Sequence, residues 1–110
     1  MRIWDVPVTK LCRQHLLGEH RELHALWSIL VHNKKGYRHH PETKRWEGKL
    51  AALYKRHQLL VKEMENRGYN HQSPLDKKYA KGKPDQSIFV DSIPKQRKIL
   101  KARPCGCYRK

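Results

Sequence analysis

Apolar residues recur with a helical period in two long stretches of the chain. With Leu23 at zero on a wheel of about 100° per residue, Cys12, Leu16, Leu26, Trp27 and Leu30 fall within about 60° of it. They form a core-facing stripe, which predicts a first helix over about residues 11–32, stopped by Asn33 and Gly36. In the second stretch Trp46, Leu50, Leu53, His57, Leu60, Val61 and Met64 share a stripe about 120° wide, opposite Lys44, Lys55 and Lys62. A second helix is therefore predicted over about residues 43–67, with Gly68 just past its end. His57 lies inside that stripe and reads as a core histidine rather than a ligand.

Elsewhere the helical period is absent or short. Residues 1–8 are apolar at Ile3, Val6 and Val8 without a helical repeat, so they read as an extended arm ending at Pro7, with Thr9 able to cap a first turn. Ser73-Pro74, Gly82 and Lys83-Pro84 mark a long connection. Ser87-Ile88-Phe89-Val90 is expected to pin that connection to the core. Ser92 caps a short third helix over about residues 94–102, with Pro94 in its first turn. The fold class is all-α: one compact domain over residues 1–110, with two long helices and one short C-terminal helix. The extended N-terminal arm packs against helix one.

Charge narrows the choice of partner. Against 10 Asp and Glu stand 25 Lys and Arg, a net charge of +15 and a pI near 10.1. At 110 residues this bias points to a polyanion, because neutralising phosphates releases counterions. Nucleic acid leads, and no basic helix carries the exposed bulky apolar face that a membrane surface requires. No apolar run is long enough to span a bilayer, and no signal-peptide core opens the chain. Three cysteines, an odd number, argue against a disulfide framework and for a reducing, cytoplasmic setting.

Candidate chemistry concentrates in helix one. Glu22 sits at the margin of the apolar stripe beside Gly18 and His15, Glu19 lies inside it, and Arg21 points almost opposite Leu23. A carboxylate at the edge of an apolar face suits a tuned acid or base, but helix geometry alone favours the plainer reading, in which Glu22 and Arg21 are ordinary surface charges and Glu19 is hydrogen-bonded in the core. Lys34, Lys35, Tyr37 and Arg38 form a basic loop with one aromatic, a composition suited to backbone phosphates and one stacking contact. Cys105-Gly106-Cys107 is half of a zinc site with too short a spacing for a knuckle, and His39-His40 lacks a second ligand pair, so no metal site is assigned. No phosphate-cradling loop or Ser-His-Asp arrangement is present.

The segment Gln14-His15-Leu16-Leu17-Gly18-Glu19-His20-Arg21-Glu22-Leu23 resembles the signature helix of the pyrimidine-dimer DNA glycosylases of the phage endonuclease V type. Arg2-Ile3 after the first residue is similar to the family's opening. Lys49-Leu50 through Arg67-Gly68-Tyr69-Asn70 is similar to its second helix, and Ser87-Ile88 and Arg103-Pro104 to the stretch around its third. The resemblance implies a small all-α enzyme that flips nucleotides out of damaged DNA. Its N-terminal α-amine attacks the sugar C1′, giving a Schiff base and then β-elimination. Carried over by position, Met1 supplies the nucleophilic amine, Glu22 is the essential acid, and Arg2 and Arg21 contact phosphates. An α-amine has a pKa near 7.7–8.0, so roughly a tenth is neutral at pH 7.

Three departures leave the lesion open. The phage members expose a threonine amine after the initiator is removed, whereas Met1 is the aligned position here and bulky Arg2 predicts its retention. Ala25 replaces an arginine one turn beyond the acid, and Cys105-Gly106-Cys107-Tyr108 replaces an aromatic-rich tail. The expected activity is that of a DNA repair glycosylase and abasic-site lyase, with pyrimidine dimers among its candidate lesions. The expected partner is double-stranded DNA carrying a lesion or abasic site, bound by a monomer with no small-molecule cofactor and no membrane. Met1 is expected to reach Glu22. The alternatives are a non-catalytic DNA- or RNA-binding protein on the same scaffold and a zinc-stabilised adaptor.

Overall fold

Gly48 divides the second periodic stretch in two. The computed structural model describes residues 3–32, 40–70 and 74–102. Within them lie α1 (Arg13–Val31), α2 (Pro41–Trp46), α3 (Leu50–Asn66) and α4 (Ile93–Ala102), with 3-10 turns at Val8–Lys10 and Lys77–Tyr79. The all-α class holds, but the single helix expected over residues 43–67 is α2 and α3, joined by a break at residues 47–49. Gly48 has φ of 71°, a left-handed conformation that costs glycine little and disrupts a helix.

The long connection stabilises that break. Lys83 N–H donates to the Gly48 carbonyl at 3.0 Å, and Lys49 and Gly82 form an isolated antiparallel bridge. No side chain caps α3. Instead Ala51 N–H and Ala52 N–H donate to the carbonyls of Lys81 and Lys83, at 2.8 and 3.2 Å. First-turn amides that a helix leaves unsatisfied are thus satisfied by the connection's backbone.

Two smaller expectations also change. Cys12, not Thr9, caps α1, its Sγ accepting from His15 N–H at 3.4 Å. The Ile88, Phe89 and Val90 side chains do not pin the connection, being 56%, 38% and 48% exposed. Polar groups hold that segment instead. Arg45 donates to the Ile88 carbonyl at 3.0 Å, and Gln86 Nε2 donates to the Arg45 carbonyl at 2.6 Å. Ser92 caps α4 as expected, its Oγ accepting from Lys95 N–H.

The core lies chiefly between α1 and α3. Leu16, Leu23 and Leu26 of α1 meet a layer containing Leu53, Leu60 and Met64 of α3, closed by Trp27, Trp46 and Leu100. Burying each leucine contributes about 1.5–3 kcal/mol. Ile3, Trp4 and Val6 of the arm belong to the same cluster, so the arm is a core element rather than a loose strap. No helix among the described residues is long and apolar enough to cross a membrane.

Candidate active site

Three consecutive backbone amides of the arm are each held by a side chain from a different helix. Ile3 N–H donates to Glu42 Oε1 of α2 at 3.2 Å, Trp4 N–H to Glu19 Oε1 of α1 at 3.0 Å, and Asp5 N–H to Gln96 Oε1 of α4 at 2.8 Å. Glu19, Glu42 and Gln96 are all buried. Extended backbone inside a helical core has no strand partner, and polar side chains must replace the missing ladder.

The arm's carbonyls are taken by three arginines spaced eleven residues apart. Arg45 donates to the Ile3 carbonyl at 2.8 Å, Arg56 to the Val6 carbonyl at 2.8 Å, and Arg67 to the Leu11 carbonyl at 2.7 Å. Each is neutralised by a glutamate: Arg45 by Glu42 at 2.7 Å, Arg56 by Glu19 at 2.6 Å, and Arg67 by Glu63 at 2.7 Å. Asp5 adds a second carboxylate to Arg45 at 3.1 Å. Burial pushes the Glu19 carboxyl above its ordinary range, against the opposing pull of Arg56 and of the Trp4 amide. Arg67-Gly68-Tyr69 therefore has a structural task. Gly68, at φ of 80°, ends α3, Tyr69 N–H closes back on the Met64 carbonyl, and Arg67 holds the chain that leads into α1.

Glu22 stands apart from these committed carboxylates. It is half-buried on α1, and among the described residues it is the one carboxylate short of full exposure that makes no ion pair with a described cation. On the helical wheel Glu22 lies on the flank that carries His15 and Glu19. Both of those residues touch the arm: Trp4 meets the His15 ring edge-on at 5.8 Å and donates its N–H to Glu19. Gly18, one turn before Glu22, has nothing within 4 Å of where a Cβ would stand among the described residues. Arg21 is exposed and borders a shallow cleft with Arg13, Gln14 and Leu17.

Met1, Arg2, Lys34, Lys35, Tyr37, Arg38, Cys105 and Cys107 lie outside the described residues, as does the expected approach of Met1 to Glu22. His40 serves as the cap of α2, its Nδ1 accepting from Glu42 N–H at 3.1 Å. Reading the sequence missed the Glu42, Arg45 and Arg56 clamp. Its one local trace is the three-residue spacing of Glu42 and Arg45 on a helix. Also missed is the convergence of His20 and His24 of α1 on His57 of α3, whose ligand nitrogens all lie within 4.8 Å of one another.

Residues 1–77 match the family model described as pyrimidine dimer DNA glycosylase. That span includes the arm, α1, α2 and α3, and with them every residue of the arginine–glutamate clamp. No curated protein and no solved structure matches the chain.

Proposed function

Since the chain belongs to the pyrimidine dimer DNA glycosylase family, we propose that it is a glycosylase with abasic-site lyase activity that works through an N-terminal Schiff base. The neutral α-amine of Met1 attacks C1′ of the damaged nucleotide, and the bond from C1′ to the base breaks. The departing base takes up a proton; loss of one amine proton and cleavage of the C1′–O4′ bond, with a proton delivered to O4′, then open the sugar ring and give the protonated imine. Removal of a C2′ proton then expels the 3′ phosphate and cleaves the strand. Glu22 stabilises the cationic sugar and relays protons. Arg2 and Arg21 hold flanking phosphates, and Lys34, Lys35, Tyr37 and Arg38 extend the contact with the duplex.

One observation carries this reading: Glu22 is the half-buried carboxylate, unpaired by any described cation, on the flank of α1 that the arm packs against. The clamp on Ile3, Trp4 and Asp5 supports it by fixing the backbone just downstream of the proposed amine, which lowers the entropic cost of positioning.

The test is borohydride trapping on duplex DNA with an abasic site or a pyrimidine dimer. A covalent adduct is expected on the N-terminal peptide, and extending the N-terminus by one residue abolishes it. Glu22→Gln slows strand cleavage about a hundredfold or more while duplex affinity and helicity persist. Equal trapping by native and extended proteins would transfer the nucleophile to a lysine. Binding without trapping by either would make the protein a non-catalytic DNA-binding module.

A further inference from the structure

Three histidines meet between the two principal helices. His20 and His24 are one turn apart on α1, and His57 faces them from α3. His24 Nε2 lies 3.2 Å from His20 Nε2 and 3.1 Å from His57 Nε2. The ring centroids are 4.6 to 5.1 Å apart. His57 is 1% exposed, and the other two are half-buried.

A neutral imidazole carries one N–H, so His24 Nε2 can serve only one of its two neighbours as a well-aligned donor. His57 is further constrained. Its Nδ1 lies 2.9 Å from Gln58 Oε1, and the neutral tautomer that donates there leaves a lone pair on Nε2. That is the tautomer a metal-ligating histidine needs, with its orientation set by a hydrogen bond on the far nitrogen. A tetrahedral cation bonded to imidazole nitrogens at about 2.0–2.1 Å would separate them by about 3.3 Å. The two measured Nε2 separations are within a few tenths of an ångström of that value.

We propose that His20, His24 and His57 form a binding site for a divalent transition-metal ion of the zinc class. Three neutral nitrogen donors suit borderline ions such as Zn²⁺ and Co²⁺ rather than Mg²⁺ or Ca²⁺, which take oxygen ligands. On the wheel of α1, His20 and His24 stand on the side of Leu23 opposite to Glu22, more than 150° around the helix from it. The ion would therefore not share the proposed catalytic flank. It would clasp α1 to α3 and brace the scaffold on which Glu22 and the arm are mounted. One tetrahedral position remains for water or an external ligand. This site is independent of the DNA chemistry proposed above.

The experiment uses the full chain, stripped with a chelator and then titrated with Zn²⁺ against a chromophoric competitor and with Co²⁺ by visible absorption. One equivalent is expected to bind, with tetrahedral Co²⁺ bands and a Zn²⁺-dependent rise in Tm. His24→Ala should abolish the bands and the rise in Tm, and His20→Ala should weaken binding at least tenfold. Both residues are half-buried and spare the buried His57, and circular dichroism checks that each variant remains helical. A double Cys105→Ser, Cys107→Ser variant should bind as the native chain does. No stoichiometric binding, or unchanged binding in folded His24→Ala and His20→Ala, would overturn the site. Loss of binding in the cysteine variant alone would move the ion to the C-terminus and equally overturn it.

Discussion

Glu42 and Arg45, one turn apart on α2, grip the peptide groups of Ile3 from both sides. The carboxylate accepts from Ile3 N–H at 3.2 Å, and the guanidinium donates to the Ile3 carbonyl at 2.8 Å while pairing with the same carboxylate at 2.7 Å. A buried charge pair is weak evidence for stability when compared with apolar replacements, but removing one partner strands the other. Arg45→Ala should therefore cost about 3–5 kcal/mol, because Glu42 and Asp5 would both lose their cation. Urea unfolding measures the loss. A change below about 1 kcal/mol would mean that the clamp is dispensable.

The raised Glu19 carboxyl makes a pH prediction. A carboxyl with a higher pKa in the folded state binds its proton more tightly there than in the unfolded chain. Its contribution to stability is greatest at low pH and declines as pH rises from the ordinary carboxyl range through the folded value. Glu19→Gln removes that titration. The stability difference between native protein and Glu19→Gln should therefore shift against the native protein over that window. Parallel urea melts at a series of pH values check this, and a difference that grows with pH would show that Arg56 outweighs burial.

Two glycines should respond oppositely to alanine. Gly18 is in the interior of α1 with no described atom within 4 Å of its Cβ position, so Gly18→Ala should stabilise by about 0.5–1 kcal/mol. A Cβ on Gly82, whose φ is 88°, would run into the Gly48 carbonyl, and Gly82→Ala should destabilise the protein and loosen the junction of α2 and α3. Thermal melts of the two variants are expected to move in opposite directions.

Duplex affinity should fall by orders of magnitude between about 50 and 200 mM salt, as expected for several phosphate contacts. Arg21 is exposed and makes no ion pair with a described residue. Arg21→Ala should leave the melting temperature unchanged and reduce the slope of log affinity against log salt by about one. Fluorescence anisotropy at several salt concentrations measures both quantities. A fall in Tm would mark Arg21 as structural, and an unchanged slope would remove it from the interface.

The helical class, the buried stripes of α1 and α3 and the capped start of α4 were legible because each depends on neighbours within a turn or two. The polycation was legible because charge simply adds. Glu22 at the margin of the stripe was legible for the same local reason, whereas the absence of an ion pair between it and any described cation was not. Among the described residues, Arg45, Arg56 and Arg67 are drawn instead to Glu42, Glu19 and Glu63. Of these pairs, Arg56 and Glu19 are 37 residues apart, and the contacts tying Ile3 to Glu42 and Asp5 to Gln96 span 39 and 91 residues. Gly48 lies inside the stretch whose period predicts a single helix. It became a break because the backbone at residues 81–83 arrived to satisfy the amides of a new helix start. His20 and His24 show their spacing in the sequence. His57 reads as core by its period, and only the packing of α3 against α1 brings its Nε2 to the other two.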